Sequence, residues 1–152
     1  MTKLLLCVHV LVAILAIGPI AVAASLFPRF VQEAAREPDG RPVAAFLHRT
    51  CRAYTVVGLA VPAFGIATGA RLGVLTDVWL LTSVALTAGA AALLALAILP
   101  GQRRLLADAR TDTEPNVRAE AARLAMLTGT FNLLWAVVVV LMIVRPGSTT
   151  GA

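Results

Sequence analysis

The sequence predicts an all-α protein: a transmembrane four-helix bundle with interfacial or juxtamembrane helices in its two long loops. Three observations lead there. Four runs lack Asp, Glu, Lys and Arg altogether: residues 4–27, 53–70, 78–99 and 124–144, of 24, 18, 22 and 21 residues. The chain is 59% hydrophobic and 14% charged, with a mean hydropathy of +0.87. A soluble domain carries about 25% charge, and a globule this apolar would expose association-prone patches in water. Finally, ten of the thirteen basic residues fall in two of the segments between runs. The composition also excludes a disordered chain, a collagen, a coiled coil and a disulfide-stapled secreted domain.

A helix needs about 20 residues to cross about 30 Å of hydrocarbon, and three runs meet that length. The second is short and contains Pro62, but it can borrow from the helical pattern around Val43 to Leu47, giving a span of about 49–70. Proline inside a membrane helix predicts a kink rather than an end. The spans are therefore about 4–27, 49–70, 78–99 and 124–144, in one integral membrane domain over 1–152.

The first run also has the outline of a secretory signal, with Lys3 before the apolar core and Ala21-Val22-Ala23 as a cleavage motif. Charge placement favours a retained helix. Residues 28–52 hold Arg29, Arg36, Arg41, Arg49 and Arg52; residues 100–123 hold Arg103, Arg104, Arg110, Arg118 and Arg123. The other three segments hold one basic residue each: Lys3, Arg71 and Arg145. The positive-inside rule then puts loops 28–52 and 100–123 in the cytoplasm and both termini outside. Cleavage after Ala23 would export the arginine-rich 28–52 segment instead.

In the first loop, Pro28 suits the first turn of a new helix, and Glu37-Pro38-Asp39-Gly40 reads as a turn. The third span is expected to stop at Pro100-Gly101, followed by an amphipathic piece from Gln102. Thr113 is the expected N-cap of the last helix, with Pro115 in its first turn. The arginines of both loops suit anionic headgroups. The net charge of +5 is explained by topology, and no aromatic-basic platform suggests nucleic acid.

Few residues offer chemistry. His9 lies five residues inside the first span, about 8 Å below the outer face, and His48 precedes the second span at the opposite face. With roughly 20–30 Å between them, one haem or metal cannot take both as ligands. Partners at the depth of His9 are Thr68, Thr82, Ser83 and Met142, and only Met142 is an axial-ligand type. The plainer expectation for His9 is a hydrogen bond to a hydroxyl of a neighbouring helix, and for His48 a snorkelling interfacial position. Cys7 and Cys51 lie near opposite faces, too far apart for a disulfide. No ionisable side chain other than His9 falls well inside a span, which weighs against a proton pump, a cation-coupled transporter or a voltage sensor. No nucleophile with a base, phosphate loop or carboxylate pair is present. Asp77 is expected as an interfacial cap near Trp79.

The remaining marks concern packing. Gly58, Pro62, Gly65 and Gly69 share one face of the second span. Ala85 and Gly89, with Ala88, Ala92 and Ala95, are expected to permit the same close approach on the third. On the fourth, Thr128, Asn132 and Trp135 share a face. Asn132 is expected to bond across the bundle, and Trp135 needs an acceptor for its indole N–H. The Asn132 and Trp135 stripe is a candidate cofactor lining.

The order of several short motifs resembles a family of small bacterial integral membrane proteins grouped under a domain of unknown function. The matching stretches are Leu6-Cys7-Val8-His9-Val10-Leu11 with Gly18-Pro19, then Leu47-His48-Arg49, Pro100-Gly101-Gln102-Arg103-Arg104 and Phe131-Asn132-Leu133-Leu134-Trp135. This resemblance implies a four-span fold and no particular activity. The early histidine followed by Gly and a Pro28-Arg29 exit is similar, more distantly, to small four-helix haem- or copper-related membrane proteins, the membrane protoporphyrinogen oxidases among them. Their histidine chemistry would map onto His9. The sequence thus leads to a non-enzymatic accessory or assembly partner, associating with another membrane protein or with itself in the bacterial cytoplasmic membrane. One alternative is a haem- or porphyrin-handling oxidoreductase using His9. Another is an oligomeric small-molecule channel or exporter. The twelve arginines against one lysine suit a GC-rich bacterial genome.

Overall fold

The structure, a computed structural model, describes residues 2–37, 40–108 and 114–147, and every regular element among them is helical. The first helix, α1 (Thr2–Arg36), runs 35 residues without interruption, about 52 Å at 1.5 Å per residue. It outreaches the hydrocarbon by several turns. Pro28 therefore does not open a new helix but lies inside α1, as does Pro19. The Gln32 amide turns back to donate to the Pro28 carbonyl at 3.1 Å.

The chain reverses tightly into α2 (Arg41–Gly58). Glu37 N–H donates to the Glu33 carbonyl at 2.8 Å and Gly40 N–H to the Glu37 carbonyl at 3.3 Å. A Cβ on Gly40 would lie 2.8 Å from the backbone nitrogen of Ala34, so only glycine allows so close a return. Two residues of the expected turn, Pro38 and Asp39, and the expected cap Thr113 lie outside the described residues.

Only Leu59 separates α2 from α3 (Ala60–Leu72), and its backbone is itself right-handed helical (φ −63°, ψ −23°). The second span is thus a single rod with a local irregularity, as expected of Pro62, whose missing N–H leaves the Gly58 carbonyl without its usual donor. The rod ends at Gly73, whose φ of +70° suits glycine, with Val74 N–H closing onto the Gly69 carbonyl at 3.2 Å.

The third rod departs from expectation. After α4 (Val78–Leu93) the helix continues through a π turn (Leu94–Ile98) directly into α5 (Leu99–Asp108), straight past Pro100-Gly101. Leu99 N–H reaches back five residues to the Leu94 carbonyl. Widening the helix one turn before the proline relieves the clash that would otherwise end it. The last helix, α6 (Glu114–Val144), holds Pro115 in its first turn.

α1 is central, packing on α2, α3 and α6; α4 packs on α6, while α3 and α4 meet little. Four rods are long and apolar enough to cross a membrane: Lys3–Arg36, Arg41–Leu72, Val78–Asp108 and Asn116–Val144. Only 17–22% of each rod's most apolar window is buried, so most of the apolar surface faces outward, an arrangement suited to lipid and not to water. Large buried side chains gather at the loop end, where Phe27, Val31, Leu47, Ile98, Leu105, Val117 and Leu124 form one cluster.

Candidate functional site

Polar side chains inside the rods fall into four groups. His9 is held on α3. Its Nδ1 lies 3.0 Å from the Val61 carbonyl, and its ring rests on Gly65, where a Cβ would meet Cε1 at 3.0 Å. A carbonyl only accepts, so Nδ1 carries a hydrogen, and any lone pair the ring offers is on Nε2. Only 7% of the residue is exposed. The expected partner was a hydroxyl, and the observed one is backbone. Thr68 and Ser83 instead donate to the Phe64 and Trp79 carbonyls of their own helices, at 2.7 and 2.8 Å. The Val61 carbonyl has a second lone pair beyond its helical bond, and Gly65 opens the path to it.

His48 is not the free interfacial residue its sequence context suggested. Its Nδ1 lies 2.9 Å from Gln102 Oε1. The Gln102 Nε2 donates in turn to Cys51 Sγ at 3.5 Å, and the thiol points at the Ile20 carbonyl at 4.0 Å. Gln102 and Cys51 are fully buried. All donors run one way, from His48 through Gln102 and Cys51 to α1, tying α2, α5 and α1 together. Sequence reasoning missed Gln102 because it was read as lying past the end of a span. The signal available was its place in a Pro-Gly-Gln step directly after an unbroken apolar run.

The α6 stripe behaves in part as expected. Asn132 bonds across the bundle, donating to Ser25 Oγ of α1 at 3.2 Å. Trp135 meets Phe131 edge-on, with ring centroids 6.4 Å apart. Among the described residues, however, its indole N–H finds no acceptor, and Asn132 Oδ1 and Thr128 Oγ1 are likewise buried without partners. Thr128 contrasts with Thr50, Thr55, Thr68, Thr82 and Thr130, each of which donates to the carbonyl four residues back.

At the far end of the rods, Asp77 accepts the Trp79 indole N–H at 3.0 Å, and the Arg145 guanidinium lies 5.6 Å over the Trp79 ring. Arg145 Nε also donates to the Met142 carbonyl at 3.3 Å. Asp77 thus stands at the N-cap position beside Trp79 as expected, but its carboxylate takes the indole N–H and makes no side-chain cap bond.

The four candidate site residues are therefore not gathered. His9 sits on α3, Asn132 reaches α1, Trp135 meets Phe131, and Met142 is half-buried beside Arg145. No hydrogen bond or ring contact among the described residues joins His9 to the other three. For a haem, the residues fit poorly. His9 offers an oriented Nε2, but its ring edge is packed against Gly65, and nothing draws the Met142 thioether toward it.

Small residues divide by helix. Gly58 and Gly65 face α1, approaching Ile20 and His9, and Gly69 meets Leu75 and Leu80. Ala85, Ala88, Gly89, Ala92 and Ala95, expected to pack inward, are instead exposed, with nothing within 4 Å of a Cβ on Gly89. The inward face of this rod is taken by Trp79, Leu80, Ser83, Ala90, Leu94 and Ile98.

Taken together, these features define a helical multi-pass membrane protein whose polar residues bind helix to helix. No family model, curated protein or solved structure matches the chain.

Proposed function

We propose that the protein is a non-enzymatic membrane component acting by association, an accessory or assembly partner in the bacterial cytoplasmic membrane. Loops 28–52 and 100–123 face the cytoplasm and both termini face outward. The carrying observation is how the spans use their polar side chains. His9 joins α1 to α3, Asn132 joins α6 to α1, and Gln102 joins α5 to α2. Each is spent on holding the bundle, and work is left to its outer surfaces. The arginine bias of the two loops supports the orientation.

A photo-crosslinking residue at Ala88 or Ala92, compared with one at Leu15 of α1, tests the reading in native membranes. A discrete protein adduct at the first two positions and only lipid adducts at Leu15 is the expected result. Lipid adducts at all three would refute it. A reporter fused after Ala152 that requires export for activity should be active; an inactive one inverts the orientation.

One observation favours a second reading, haem or porphyrin handling through His9. Metal-ligating histidines typically donate their other ring N–H to a carbonyl or carboxylate, and His9 does so to Val61. Protein purified from haem-replete cells would then show a Soret band that His9→Leu abolishes. Colourless protein removes this reading.

A further inference from the structure

We infer that the loop end of the bundle carries a ring of arginines that binds the headgroups of anionic phospholipids, set in register by the His48–Gln102–Cys51 chain. The inference stands apart from the accessory reading and from the orientation, since it concerns only the level at which the arginines meet the bilayer.

The register follows from contacts across three helices. Gln102 of α5 bonds His48 and Cys51 of α2. Its neighbour Gly101 approaches Leu124 of α6, where a Cβ would come within 3.0 Å of Cδ1. Each residue of this knot has an arginine beside it. Arg49 follows His48, Arg52 follows Cys51, Arg103 and Arg104 follow Gln102, and Arg123 precedes Leu124. Five guanidinium groups on three helices are therefore held within about one helical turn of one level.

None of the five forms a hydrogen bond or ion pair among the described residues, whereas Arg29 on α1 pairs with Glu33 at 3.1 Å. Arg49, Arg52, Arg103, Arg104 and Arg123 are all exposed. The acidic side chains stand off this level. Asp108 lies four residues beyond Arg104, and Glu120 lies three before Arg123, both on the side away from the spans. With Asn116 they line a separate cleft of about 220 Å³ between α5 and α6. Asp108 and Glu120 thus lie farther from the spans than these five arginines, with Arg118 farther out again.

Bare apolar side chains flank the ring, with Phe46, 65% exposed, on its loop side and a larger set on its span side. Within two turns toward the spans come Val56, Leu96 and Met126, which are 69%, 78% and 75% exposed. Side chains so apolar and so bare belong in hydrocarbon, which places the neighbouring arginines among headgroups. Long basic side chains there reach outward to phosphate, and guanidinium binds phosphate in a two-pronged fork. A zwitterionic headgroup supplies its own cation, whereas a phosphatidylglycerol-type headgroup leaves its phosphate charge to be met by the protein. The partner is therefore an anionic phospholipid.

The test reconstitutes the full chain in phosphatidylcholine vesicles with rising phosphatidylglycerol, at low and high salt. Thermal unfolding and retained lipid, by native mass spectrometry, are the readouts. The wild type should gain stability and keep phosphatidylglycerol in preference to phosphatidylcholine, with the gain reduced by salt. An Arg52→Gln/Arg103→Gln/Arg104→Gln variant should lose about two orders of magnitude of that preference. The corresponding Arg→Lys variant should keep much of it, and Arg71→Gln, at the opposite end, should keep all of it. Equal stabilisation by both lipids would overturn the inference. So would an unchanged preference in the triple Gln variant while it folds, as judged by helical content in phosphatidylcholine alone.

Discussion

The two ends of the bundle are built differently. At the loop end, Phe27, Val31, Leu47, Ile98, Leu105, Val117 and Leu124 interlock into a core with Gln102 at its centre. At the far end, burial involves Ala16, His9, Val61, Thr68, Trp79, Leu80 and Ser83, a thinner set with more polar atoms and smaller side chains. The difference tracks the solvent. Where helices leave the bilayer, water rewards the burial of large apolar side chains. Within the bilayer, lipid is as apolar as leucine, and helices are held by close backbone approach and hydrogen bonds instead. The loop end should therefore break like a soluble protein, and the far end should yield in small steps.

The largest effect is expected from Phe27→Ala. Its ring is fully buried in the loop-end core, and removal of a buried aromatic costs about 3–5 kcal/mol. Unfolding in mixed micelles, followed by helical content, measures it. Ile14→Ala, on a surface 63% exposed to the surroundings, is the matched control and should change stability little. A large loss at Ile14 and a small one at Phe27 would invert the comparison.

Gln102→Leu comes next. It removes the acceptor of the half-buried His48 Nδ1–H and the donor to Cys51 Sγ, while the thiol keeps the Ile20 carbonyl. Stranding buried polar groups costs about 1–3 kcal/mol, and the same denaturation reads it. Because Gln102 sets the arginine level, this variant should also weaken phosphatidylglycerol retention with all five arginines intact, which a purely local loss would not do.

Gly65→Ala probes the far end by crowding. The new methyl would meet His9 Cε1 at 3.0 Å, so the imidazole must give by a few tenths of an ångström against its bond to Val61. A cost of about 1 kcal/mol, the lower bound for overpacking, is expected, because the lipid side leaves α1 room to move. The His9 ring resonances should shift by NMR; unchanged resonances would place the ring elsewhere.

How much of this was legible in the sequence depends on which forces decide each feature. The four rods were, since length and the absence of charge decide what crosses a bilayer. So was the cross-bundle bond of Asn132, because a polar group in an apolar rod must find a partner. Three features were not. The helix passes Pro100 because a π turn absorbs it, and that depends on what α5 gains by reaching His48, a residue 54 positions away. The partner of His9 is a carbonyl, and every residue has one, so no residue type announces it. The outward turn of Ala85, Ala88, Gly89 and Ala92 is set by which side of α4 meets α6. Small residues allow a close approach on any side and do not choose it.

The smallest effect, and the sharpest contrast, is expected at His9. His9→Leu deletes the bond to Val61 at similar volume, as Gln102→Leu deletes its bonds at the other end. Yet the Val61 carbonyl keeps its helical bond, so no polar group is stranded. Hydrogen bonds between membrane helices average about 0.6 kcal/mol, and the loss should be of that size, below the Gln102→Leu cost in the same denaturation. If His9→Leu proved the costlier of the two, the far end would be held by its polar bond more than by close packing. The oriented Nε2 would then have to be doing something beyond stapling α1 to α3, and the visible spectrum of the wild type would be the place to look for it.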